Sequence, residues 1–72
     1  MDEEAEDDPL LALRLELARL RESHQYLSAV VETLQAAPLP DQIQIARLKK
    51  RKLALKDQII KIENALTPDL IA

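Results

Sequence analysis

The sequence predicts an all-α protein: an antiparallel two-helix coiled-coil hairpin that associates into a four-helix bundle. Three observations predict it. Two runs of apolar residues alternate steps of three and four, the spacing that keeps one helical stripe on a partner. Two prolines within three residues, Pro38 and Pro40, separate the runs. The 72-residue chain also has no Gly, Cys, Phe or Trp, and its hydrophobic residues are almost all Leu, Ile, Ala and Val.

The chain begins with MDEEAEDD, in which six of eight residues are acidic. Like charges repel, and little in this stretch can be buried, so residues 1–8 are expected to form a disordered tail. Its charge has the wrong sign for a secretory leader, and no apolar run reaches membrane-spanning length. A cytoplasmic location and no membrane contact are the expectations.

The first helix is predicted over residues 9–37. Asp8 can accept the free amide hydrogens of its first turn, and Pro9 suits the first helical position, where no amide hydrogen is needed. Its seam runs through Leu10, Leu13, Leu17, Leu20, His24, Leu27, Val31 and Leu34. The prolines then restrict the residues before them and end the helix. The turn is predicted at 38–41 and the second helix at 42–66. Asp41 is its cap, with Gln44 three residues on as the partner in a capping box. The second seam is Ile45, Leu48, Lys52, Leu55, Ile59, Ile62 and Leu66. Thr67 and Pro68 open a short final turn over 67–72.

The two seams fit one another when paired residues have numbers that sum to 79. Leu34 then meets Ile45, Leu27 meets Lys52, His24 meets Leu55, Leu20 meets Ile59 and Leu13 meets Leu66. Every a position on one arm faces a d position on the other. At 1.5 Å per residue each arm is about 40 Å long. A single long helix in a parallel dimer is the rival, and the two prolines argue against it.

A second stripe lies outside the seam: Ala46, Leu53 and Ile60 on the second helix, with Leu11, Leu15 and Ala18 on the first. One hairpin cannot cover both stripes, and contiguous exposed apolar patches mark interfaces. A chain this short buries little more than the ordering of its residues costs. With no disulfide or metal to staple it, self-association through these six residues is the expected remedy.

Composition narrows the chemistry. Without cysteine there is no disulfide framework, zinc-thiolate site or Cys nucleophile. Without glycine there is no phosphate-cradling loop. With a single aromatic residue, Tyr26, there is no base-stacking platform. His24, the only histidine, sits in the seam at an a position. No ligand spacing surrounds it, and a packed hairpin of this size leaves no evident cleft for a substrate. Lys52 is the matching interruption on the second helix, its stem able to carry the charge to solvent. Polar residues in a seam lower stability but select register and partner number. Charging His24 in mildly acidic solution would weaken the seam. No catalytic residue, metal or cofactor is expected.

The sharpest asymmetry is a cationic cluster: Arg47, Lys49, Lys50, Arg51, Lys52 and Lys56. Residues 41–72 carry seven bases against four acids, a local charge of +3 in a chain whose net charge is -3. Such a cluster attracts phosphate backbones or acidic proteins. The acidic tail competes for it, and no turn-helix spacing, glycine loop or aromatic stack accompanies it. A non-enzymatic interaction or adaptor module is the first functional expectation. Weak, non-specific nucleic-acid binding through the basic start of the second helix is the second.

The segment LKKRKLALKDQI, residues 48–59, resembles the signature of the YdcH-like family of small bacterial helical proteins, a domain of unknown function. Leu48, Lys49, Lys50, Lys52, Leu53, Leu55, Lys56, Asp57 and Ile59 match it. The closing TPDLIA resembles the ending of the family's alphaproteobacterial members. Arg51 stands where many relatives have an acid, and Gln58 where they often have Glu, so this surface is the more basic. The resemblance covers about residues 42–72, with only heptad-like spacing over the first helix. It implies a cytoplasmic helical hairpin and assigns no catalytic residue.

Overall fold

The structure, a computed structural model, describes residues 9–67. Two helices, α1 (Pro9–Gln35) and α2 (Gln42–Leu66), fold back on one another as a hairpin. The Asp8 cap, the acidic run 1–8 and the final turn beyond Thr67 lie outside the described residues.

The seam is where the spacing puts it. The buried side chains are Leu17, Leu20, Val31, Ile45 and Ile59, all of them a or d positions. Leu17, Leu20 and Ile59 form one cluster, with Leu55, Ile62 and Leu66 packed partly against it. The membership of this cluster fits the expected antiparallel register, which pairs Leu20 with Ile59 and Leu17 with Ile62. Burying such side chains is what holds two helices of this length together, because isolated helices are marginal in water.

Arg21 Nη2 donates to Glu63 Oε2 at 2.7 Å. This is an ion pair between the arms on one side of the seam. Both side chains remain substantially exposed, 59% and 43%, so it adds at most about 1 kcal/mol. Its value is in marking which flank of α1 meets which flank of α2.

The ends have local causes. The Gln44 amide donates to Asp41 Oδ1 at 3.1 Å, which satisfies an amide hydrogen of the first turn of α2. Asp41 itself is extended (φ -84°, ψ 97°), as a cap must be. At the other end the Thr67 amide and its Oγ1 both donate to the Glu63 carbonyl, at 3.1 and 2.9 Å. Helix α1 stops at Gln35, two residues before the expected Ala37. The Ala36 amide still reaches the Glu32 carbonyl at 3.1 Å, but the Ala37 amide turns to Leu34 at 3.3 Å. The last turn therefore tightens before Pro38, which disfavours helical geometry in the residue ahead of it.

Of the residues placed by spacing, Leu10 of the seam is 43% exposed, and Leu11 of the outer stripe is partly buried.

Leu20→Ala is expected to lower the unfolding free energy by about 2–4 kcal/mol, a buried leucine deletion. Leu39→Ala, at a turn residue 92% exposed, should change it by less than about 0.5 kcal/mol. Urea denaturation of the two variants beside the parent checks both.

Candidate functional site

The heptad wheel divides the hairpin into two flanks. Positions e and b lie on one side of each seam, and g and c on the other. In an antiparallel pair, e flanks e and g flanks g. Arg21 and Glu63, joined by their ion pair, are both e positions, which fixes the first flank.

On this e and b flank lie most of the residues of the outer stripe. Leu53 is 67% exposed and Ile60 42%. Ala18 and Ala46 are exposed too, and Leu11 is the partly buried member. Leu15, 59% exposed, stands just beyond on the back of α1. Arg14, Lys49, Lys56 and Glu32 stand among these apolar groups, all exposed.

The g and c flank carries a feature that the sequence reading missed. An open groove of about 600 Å³ crosses the middle of the hairpin. Glu22, Ser23, Tyr26 and Leu27 line it from α1, and Arg51, Ala54, Leu55 and Gln58 from α2. Apolar spacing along each helix holds no sign of this groove, which is open to solvent rather than an enclosed cleft. Its cause is side-chain size. Ser23 and Ala54 are small residues beside the seam at neighbouring levels, and a groove opens where two such positions come close. That signal was present in the sequence, but it becomes visible only after the arms are brought into register. Leu27 and Leu55 make its floor, and the Arg51 guanidinium and the Glu22 carboxylate are on opposite arms. Tyr26, 69% exposed, is the aromatic wall.

The cationic cluster is spread round α2 rather than gathered on one face. Arg47, Lys49, Lys50, Arg51 and Lys56 are exposed, and Lys52 is partly buried in the seam. Arg51 alone among them lines the groove. The described residues include no ion pair made by any of the six; the pairs present are Arg19 with Glu16 at 3.3 Å and Arg21 with Glu63. Lys52 and His24 are both partly buried, one level apart in the seam, each opposite a leucine. Among the described residues no group of three or more His, Asp or Glu is placed to hold a metal ion. No helix of the described residues is long and apolar enough to cross a membrane.

A family model described as a protein of unknown function, DUF465, matches residues 17–63. The chain belongs to the DUF465 family. This is the same family as the YdcH-like one that the LKKRKLALKDQI segment resembles. The match starts at Leu17, so α1 carries family character that its heptad spacing alone did not reveal. The closing TPDLIA lies beyond the matched residues. No curated protein matches the chain, and no solved structure does.

Lys52→Leu is expected to raise the unfolding free energy by about 1 kcal/mol, because an apolar side chain replaces a charge facing Leu27. Thermal melting followed by circular dichroism checks the direction.

Proposed function

We propose that the chain is a non-enzymatic helical interaction module of the cytoplasm, which pairs with a second copy of itself into a four-helix bundle. The observation that carries this reading is the exposed stripe on the e and b flank. Leu53 and Ile60 stand open to solvent on a hairpin whose own seam is already filled. Leu11, Leu15, Ala18 and Ala46 extend the stripe on both arms. Burying such a patch against another helical surface is favourable at roughly 25 cal/mol per Å², and a 72-residue chain with a single two-helix core has little other means of adding to its stability. The cytoplasmic part of the reading rests on the YdcH-like resemblance. An adaptor role follows if a partner protein takes the groove or the cationic cluster while the stripe is covered.

A second reading rests on a different observation. Six cations within ten residues make no ion pair among the described residues, so their charge is available to a polyanion. Weak, non-specific binding to nucleic acid is the activity this supports, and it is steeply salt-dependent by nature.

Two measurements test these readings. Sedimentation equilibrium at high micromolar concentration is expected to give a dimer. Leu53→Asp combined with Ile60→Asp should shift it to monomer, while a parent chain of 8.2 kDa throughout would remove the bundle. Fluorescence anisotropy with labelled single-stranded RNA at 50 mM salt tests the polyanion reading. Binding that falls by a factor of about ten or more by 200 mM supports it, and no binding at the lower salt ends it.

A further inference from the structure

The pattern of charge on the e and b flank decides how two copies would lie on one another. This rests on the self-association reading above and goes beyond it by choosing the orientation. We propose that the two hairpins pair about a two-fold axis perpendicular to their arms, so that the open end of each covers the turn of the other.

The argument begins with register. In the seam register read from the spacing, residues n and 79 − n stand at one level, and the cluster of Leu17, Leu20 and Ile59 with Leu55 and Ile62 fits it. A face-to-face pair with two-fold symmetry has two choices of axis. An axis along the arms leaves every level unchanged and sets α1 against the partner's α2. An axis across the arms reverses the levels and sets α1 against α1 and α2 against α2.

Place the crossing axis at the level of Lys56. Residues of α1 then meet those of the partner's α1 whose numbers complete a sum of 46. Residues of α2 do so at 112 or 113. Arg14 falls beside the partner's Glu32, and Lys49 beside the partner's Glu63. Leu53 falls beside the partner's Ile60. Ala18 meets the partner's Ser28, and Arg21 the partner's Gln25. Symmetry repeats each contact. Counting each symmetry-related set once, the flank presents two acid-to-base contacts and one apolar contact, with two lapses. Leu11 meets the partner's Gln35. Lys56 meets the partner's Lys56 at the axis, where long stems can splay towards solvent.

An axis along the arms also brings Arg14 to the partner's Glu63 and Glu32 to the partner's Lys49. But it sets Arg21 against the partner's Lys56 on both sides. It leaves Leu53 over the polar Gln25, and it gathers the two cationic clusters at one end.

Charge reversal in the full chain tests the orientation. Arg14→Glu and Glu32→Arg are each expected to weaken the dimer about tenfold by sedimentation, since each turns two attractive contacts into repulsive ones. Combined in one chain they should return the dissociation constant to within about threefold of the parent. Arg14 and Glu32 are 18 residues apart on one helix, about 27 Å, so only contact between copies can restore it. A dimer whose two losses accumulate, or one insensitive to both changes, overturns the orientation while leaving self-association standing. A chain that remains monomeric overturns self-association itself. The absence of cysteine allows a second measurement, a spin label at Leu39→Cys in the exposed turn. Its distance to the other copy is expected near 50 Å, and a distance under 25 Å overturns the proposal.

Discussion

Two stripes of leucine and isoleucine, one on each arm, shield each other from water along the seam. Leu17, Leu20 and Ile59 hold it towards the open end, and Val31 and Ile45 close it near the turn. Every other feature takes its position from that contact. The Arg21 to Glu63 ion pair forms because the seam holds those two flanks together. The groove opens because the seam sets Ser23 and Ala54 at nearby levels. The exposed stripe is what remains once each helix has turned its better apolar face inward.

The seam is also interrupted. His24 and Lys52 lie one level apart in the middle of an otherwise aliphatic contact, both only partly buried. A hairpin that filled these positions with leucine would be more stable and less particular about its register, since a slip of one heptad would cost it little. Placing one polar residue on each arm makes such a slip expensive. The groove opens on the same stretch, lined by Leu27 and Leu55, the leucines facing these two residues. The fully buried side chains, Leu17, Leu20 and Ile59 on one side and Val31 and Ile45 on the other, flank this stretch.

The turn was legible at the level of single residues. Asp41 caps α2 through the Gln44 amide, as the spacing of an aspartate three residues before a glutamine indicates. The bounds of α2 agree with those read from the seam. For α1 the last two residues were lost, because proline geometry acts on its neighbours through sterics that apolar spacing does not register. Leu10 shows the complementary limit. It has the right spacing but is 43% exposed, because spacing along one helix does not by itself set how deeply a position is covered by the other.

The seam, the turn, the antiparallel register and the outer stripe follow from residue type and period, because a helix of fixed pitch turns spacing along the chain directly into position around an axis. The groove and the ion pair between the arms do not. Glu22, Tyr26, Arg51 and Gln58 are unremarkable surface residues along their own helices, and nothing in their spacing relates one arm to the other. They become a common surface only when two cylinders lie in contact at one particular level. Tertiary structure decided what stands together there, because the space left between the arms depends on the side-chain volumes that meet across the seam.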